Sequence, residues 1–362
     1  MKGIVEATHD YEDWVRRYVP LDPSDLNYKH QQMRASSFSF LRATFYRWMQ
    51  VFPKACDQLT SAPKVLAIGD LHAENFGTWR DAEGRLIWGI NDFDEAAVLP
   101  FTVDLVRLAT SLQLAIDSDH LKTDIEDACE SLIAGYTKSL ESGGSPFVLA
   151  EEHGGLRRLA TGELRNPVSF WDKMNDLPAM RPEPMAEGVS ALTQALPSPD
   201  MDHELKSRRA GLGSLGRPRY VALATWHGGK IAREAKALAP SGAVWAKATH
   251  SDATLLYPDI LGQSVRCLDP FVRLNGIWLV RRLAPDCSRI ELAQLPAERD
   301  ELRLVEAMGR ETGNIHLGSQ DSTLDVLKHL GKLPKKWLKK ACQTMSEEVR
   351  DDFKKYRESP HA

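Results

Sequence analysis

A chain of 362 residues that is 43% hydrophobic and 27% charged can bury one large core or two ordinary ones, so a disordered chain is excluded as the starting expectation. A formal net charge of −4 supplies no overall attraction to nucleic acid or to an anionic membrane, and neither is expected as a partner. Five scattered cysteines (Cys56, Cys129, Cys267, Cys287, Cys342), an odd number without CxxC or metal-ligand spacing, argue against a disulfide scaffold and for reduced thiols in a cytoplasm.

The first twenty residues, MKGIVEATHDYEDWVRRYVP, contain no apolar stretch of signal-peptide length, and nothing later approaches the ~18 unbroken apolar residues of a spanning helix. After the turn signals of VPLDPSD, the apolar residues of SSFSFLRATFYRWMQV recur at helical spacing and predict one amphipathic helix over 36–51. VLAI (65–68) reads as a buried strand running into GDLHAENFG. LIWGI (86–90) reads as a second strand that follows the turn chemistry of RDAEGR and runs into NDFDEA. Long helical periodicity over 103–140 places a helical floor beneath both loops. Residues 174–202 are rich in proline and small side chains, the composition of a linker or a long surface connection, and a boundary is expected there. Strands are expected over 219–226, 230–238 and 276–283, and helices from about Pro296 onward. The lysine-rich C-terminal stretch mixes both charge signs at helical spacing and reads as a solvated helix face.

Two constellations carry chemistry. Asp70, His72 and Asn75 in GDLHAEN, and Asp92 and Asp94 in NDFDEA, stand where apolar strands end. Clustered carboxylates repel one another unless a metal or basic group joins them. Phosphoryl transfer needs an aspartate that receives or orients the acceptor's proton, an asparagine that holds magnesium, and a second-loop aspartate on the same metal. Asp70, Asn75 and Asp92 meet that requirement in type and spacing, with Asp70 as the catalytic residue and Asn75 and Asp92 as metal ligands. The second constellation is AGLGSLGRPRYVAL, in which Gly211, Gly213 and Gly216 form a GxGxxG turn with Ser214 as an added donor. A dinucleotide-binding fold wants a strand before such glycines and a helix after; here a strand follows, as in a kinase-type loop over nucleotide phosphates. The next strand offers Lys236 as the phosphate-binding lysine, with Arg233 as its rival.

These residues resemble a known group. GDLHAEN followed by INDFDEA is similar to the HGDLHxxN and IDF motifs of aminoglycoside phosphotransferases and choline kinases, in the protein-kinase-like superfamily. KHQQMRASSFSFLRAT, GDLHAENFG, INDFDEA, DLVRLATS, GSLGRPRY and WLVRRLAP together look like the bacterial domain of unknown function 2252 over nearly the whole chain. The resemblance implies an α+β, two-lobe kinase-like fold, an activity dependent on ATP or another nucleoside triphosphate and Mg2+, and Asp104 as the buried aspartate bracing the catalytic loop. An unidentified acceptor completes the picture, with a small molecule preferred over a protein.

Three departures stand out. Ile68 occupies the place of the family's histidine two residues before the catalytic aspartate, and the lysine's acidic partner is not evident, with Glu234 and Asp259 as candidates. The glycine loop also follows the catalytic loop instead of preceding it, so the fold is expected to be circularly permuted. On that reading 1–200 and 291–362 form the helical lobe and 203–290 the β-rich lobe. Alternatives are a binding-only pseudokinase, a nucleotidyl-transferring relative, and a dinuclear metallophosphoesterase holding metal through Asp70, His72 and Asn314 of TGNIH. Lys29, Arg34 and Arg42 are basic candidates for an anionic substrate, and Trp79, Trp88, Trp245 and Trp278 are expected to pack between elements.

Overall fold

The computed structural model describes residues 2–149, 153–160, 166–181, 184–247, 253–287 and 300–360. About 50% helix and 16% strand, in several small sheets, make it a mixed α+β structure. The N-terminal part carries α1 (Ile4–Val15), α2 (Pro23–Met33), α3 (Ser37–Ala43) and α4 (Phe45–Ala55). The single helix expected over 36–51 is therefore two. Thr44 leaves helical geometry (φ −127°, ψ 40°) and its hydroxyl donates to the Phe40 carbonyl at 2.7 Å, so the backbone bends while both apolar faces stay buried.

Strand β1 (Lys64–Ala67) leads to Asp70 and pairs antiparallel with β4 (Ala97–Pro100). Between them, β2 (Phe76–Arg80) and β3 (Leu86–Ile90) form a hairpin whose third strand is β5 (Phe147–Val148). Behind these lie α5 (Phe101–Asp117) and α6 (Ile125–Ser142), the expected helical floor. Packed on α6 is a helix from much later in the chain, α12 (Glu301–His316). The two backbones approach so closely that a Cβ at Gly135 would stand 2.0 Å from the Glu306 carbonyl oxygen, and one at Gly309 would stand 2.1 Å from that of Leu132. Only glycine fits at either contact.

The remaining elements centre on an antiparallel sheet of five strands, in the spatial order β6 (His203–Ser207), β7 (Arg219–Trp226), β8 (Gly229–Ala237), β10 (Trp278–Leu283) and β9 (Arg273–Asn275). A sheet with an uncovered apolar face would be unstable, and the proline-rich stretch supplies the cover. Within it, α8 (Pro167–Asn175) buries Met174 against Val221, Ala232 and Leu283, while α9 (Ala186–Thr193) buries Leu192 beside Tyr220, Ala235 and Trp278. The segment expected to be a linker thus packs with the β-rich half, because Leu192, Leu196 and Met174 give it an apolar face that proline content alone conceals. Short helices α7 (Gly154–Ala160), α10 (Gly242–Trp245) and α11 (Tyr257–Gln263) join the parts, and α13 (Thr323–Leu330) and α14 (Trp337–Glu358) close the helical side, α14 against α5. Among the described residues no helix is long and apolar enough to cross a membrane. Trp79, Trp88 and Trp278 are buried and Trp245 packs on Tyr11 and Tyr46, as their composition suggested.

Candidate functional site

Asp70 follows a turn that only Gly69 can make. Its φ is +81°, and a Cβ there would lie 2.2 Å from the Glu95 carbonyl oxygen. The turn is held from behind by Asp104 on α5, which is fully buried and accepts from the backbone N–H of Ile68 at 2.8 Å and of Gly69 at 2.9 Å. A histidine from elsewhere in the chain joins this brace. His316, at the end of α12, places Nε2 2.9 Å from Asp104 Oδ2 and Nδ1 2.8 Å from the Tyr136 hydroxyl. Sequence spacing offered no signal for it, since 212 residues separate it from Asp104.

Asp70 itself is fixed by Arg107, whose side chain is fully buried on α5 and donates Nε to Oδ1 at 2.9 Å with Nη2 on the same oxygen. Burial raises the Asp70 carboxyl above its usual range, with the Arg107 charge opposing. Oδ2 faces the glycine turn. There Leu212–Ser214 form a short 3-10 helix between β6 and β7, and a Cβ at Gly213 would stand 3.5 Å from Asp70 Oδ2. Positive φ at Gly211 (+73°) and Gly216 (+95°) frames this turn. Ser214 Oγ accepts from Arg219 Nη2 at 3.0 Å, and buried Lys29 reaches the Gly213 carbonyl at 3.4 Å.

Asn75 ties the two acidic loops together. Its Nδ2 donates to the carbonyls of Asp70 (3.2 Å) and Asp92 (3.0 Å), and its Oδ1 accepts from the Asp92 N–H at 3.0 Å. His72 is buried and accepts at Nδ1 from the Glu74 N–H at 3.2 Å. Across the cleft, Lys236 on β8 spans to Asp94 (2.6 Å) and Asp92 (3.2 Å). These two carboxylates, and not Glu234 or Asp259, are the lysine's partners: Glu234 is surrounded by arginines, and Asp259 lies exposed on α11. Arg233 is also not a rival for Lys236. Adjacent strand residues alternate faces, and Arg233 stacks 4.4 Å over Phe271 and donates to the Ala195 carbonyl at 3.1 Å. Burial raises Asp92, but the Lys236 charge and an Asp94 hydrogen bond outweigh it and hold Asp92 low, whereas burial and the Asp92 charge push Asp94 up.

The cleft, of about 690 Å³, is lined from both parts of the chain, by Asp70, Asn75 and Asp92 on one side and Gly211, Gly213 and Ser214 on the other. Arg42 lies here, paired with Glu74 at 2.7 Å, whereas Arg34 donates to the Ser359 carbonyl at 3.1 Å near the end of the chain. Among the described residues, no group of three or more His, Cys, Asp or Glu side chains has the geometry of a metal site. Magnesium needs less than that, one or two carboxylates completed by phosphates and water. Asp92 and Asp94 already converge on one cation, the Lys236 ammonium, and the Asp92 side chain is 39% exposed, so this donor set suits magnesium. Asn314 sits elsewhere: it is buried on α12, accepting from Ser139 Oγ (2.8 Å) and donating to Glu311 (3.0 Å), so the phosphoesterase ligand set does not assemble.

Residues 21–151, which contain both acidic loops, match the model of a family described as an uncharacterized protein conserved in bacteria, DUF2252. No curated protein and no solved structure matches the chain.

Two carboxyls around this frame give a pH signature. Burial raises Glu95 to about 7, where it accepts from the Gly242 N–H at 2.6 Å, and raises Glu311 to about 7 beneath β3. Between the unfolded value near 4.5 and about 7, the folded chain keeps protons that the unfolded chain releases. Stability therefore falls as pH rises through that window and levels off above it. The expected loss is on the order of 3 kcal/mol per group, from ~1.36 kcal/mol per pH unit. Urea midpoints at pH 5.5 and 8 check it; a higher midpoint at pH 8 would overturn the assignment.

Proposed function

We propose that the cleft binds a magnesium–nucleoside triphosphate complex and transfers its terminal phosphoryl group to an acceptor, in a permuted kinase-like arrangement. The observation that carries this reading is the meeting of Lys236 with Asp92 and Asp94, while the glycine turn from the same sheet lies against Asp70. Support comes also from the order within the sheet. The glycine turn joins its first two strands and the lysine stands on its third, the positions at which kinase chemistry uses them. Permutation is supported by the late helix α12 lying against β1 and β3: Ser319, just beyond it, accepts from the Leu66 N–H at 2.7 Å, and Glu311 from the Ile90 N–H at 3.2 Å.

In this reading Asp70 takes or orients the acceptor's proton at Oδ2, Arg107 having fixed Oδ1. Asp92, with Asn75 Oδ1 beside it, would hold magnesium, which when bound neutralises charge on the phosphate oxygens. Asn75 keeps the two acidic loops in register, and the glycine turn, with Gly213 against Asp70 in the cleft lining, would leave room for the phosphates.

Asp92→Asn is expected to reduce magnesium-dependent nucleotide affinity by about 10- to 100-fold while the fold persists, because the metal and not the core depends on this half-exposed carboxylate. Calorimetry with Mg-ATP checks it, after a thermal-shift screen with ATP, GTP and magnesium. Unchanged affinity in the folded variant would sink the metal assignment. Product analysis separates the variants of the chemistry: nucleoside diphosphate marks phosphoryl transfer, pyrophosphate marks nucleotidyl transfer, and binding without turnover marks a pseudokinase.

A further inference from the structure

The face of the five-stranded sheet that looks into the cleft carries an unbalanced buried charge. Glu234, fully buried on β8, accepts from Arg281 Nε on β10 at 2.8 Å, from Arg219 Nη1 on β7 at 2.8 Å, and from Arg208 just beyond β6. Three guanidinium groups on one carboxylate leave two positive charges in excess. Burying unmatched charge is costly, so such a cluster persists where another anion completes it.

The three arginines are not equivalent. Arg219 spends its remaining arm on Ser214 and is consumed in holding the glycine turn. Arg281 and Arg208 both line the cleft, their side chains 22% and 23% exposed, and among the described residues neither guanidinium makes a hydrogen bond except to Glu234. The Nη groups of Arg281 are thus left for a ligand, and Glu234 orients both forks. Arg281 also acts on Asp92 across the cleft, which sets the cluster beside the transfer centre. Guanidinium forks match phosphate oxygens two at a time, which a lysine cannot do. Lys236, meanwhile, is already engaged by two carboxylates.

We propose that Arg281 and Arg208, aimed by Glu234, form a polyphosphate subsite that works without metal and takes the non-transferred phosphates of the nucleotide, the task the strand lysine was expected to perform alone. The proposal rests on the phosphotransfer reading for the identity of its ligand, but it makes a claim of its own. Polyanion binding should survive removal of magnesium.

The test titrates the full chain with sodium tripolyphosphate in EDTA, by calorimetry, and separately with Mg-ATP. Wild type is expected to bind tripolyphosphate without metal, and Arg281→Gln and Arg208→Gln are each expected to weaken it by about 10- to 100-fold. Each substitution leaves Glu234 two arginine partners, so the carboxylate is not stranded. Arg281→Lys is the control for folding: it keeps the charge but loses the fork, and an intermediate loss is expected. Wild type that does not bind tripolyphosphate, or binding unchanged in both arginine variants, overturns the subsite. If Mg-ATP binds equally well to wild type and both arginine variants, the subsite fails and the phosphotransfer reading stands. If tripolyphosphate binds through the arginines and no nucleotide binds, the subsite stands as a polyanion site and the phosphotransfer reading fails.

Discussion

Asp70→Asn should lower turnover by about 10²- to 10⁴-fold and leave nucleotide affinity unchanged, because a residue that handles the acceptor's proton is needed in the transition state and not for holding phosphates. The amide is the informative replacement. Its oxygen still accepts from Arg107, whose guanidinium is fully buried, stacked about 5 Å from Phe45 and Trp48, and among the described residues has no other carboxylate hydrogen-bonded to it. Asp70→Ala instead strands that charge and should cost about 3–5 kcal/mol of stability, which would confuse a lost reaction with a lost fold. The measurement is a steady-state assay of nucleotide consumption beside a nucleotide titration. Turnover at the wild-type rate in folded Asp70→Asn would remove Asp70 from the reaction.

Asp104→Ala should be the most damaging single change to the fold near the site. It removes the acceptor for two buried N–H groups, Ile68 and Gly69, and the partner of buried His316. At about 1–3 kcal/mol for each of the three buried groups left unsatisfied, the loss should reach roughly 3–9 kcal/mol, read as a fall in the urea midpoint. A loss under about 1 kcal/mol would mean that Asp104 is not the brace. Tyr136→Phe is the milder companion, since it releases only the far nitrogen of His316.

Much of the chemistry-bearing pattern was readable in the chain because it is local. Strand, acidic loop, strand and acidic loop follow one another within thirty residues of GDLHAENFG and INDFDEA, and the cleft lining includes Asp70, His72, Asn75, Asp92 and Asp94. The glycine turn and Lys236 were legible for the same reason. What the sequence concealed depends on contacts between distant positions. The lysine's partners, Asp92 and Asp94, lie more than a hundred positions earlier, whereas Glu234, two residues away, is claimed by arginines from three strands or strand ends. His316 reaches Asp104 from 212 residues further along the chain, where no local motif could announce it. Proline content pointed to a linker over 174–202, where one short helix and a few buried leucines build a covering layer. Lys236 and Arg233 look alike in one dimension, and only strand alternation separates the face that meets the acidic loops from the face that meets Phe271.

The junction of α12 with the catalytic turn also bears on how the chain comes into being. Asp70 and its loop leave the ribosome early, yet Ser319 closes onto Leu66 across 253 residues and His316 onto Asp104 across 212. Contacts of such sequence separation form late and slowly, after the entropy of closing the whole intervening loop has been met. The loop carrying Asp70 therefore stays unbraced until α12 and Ser319 have been synthesised. A chain ending before α12 would carry the acidic loops without the His316 and Ser319 contacts that hold them, a dependence that the order of the segments itself imposes.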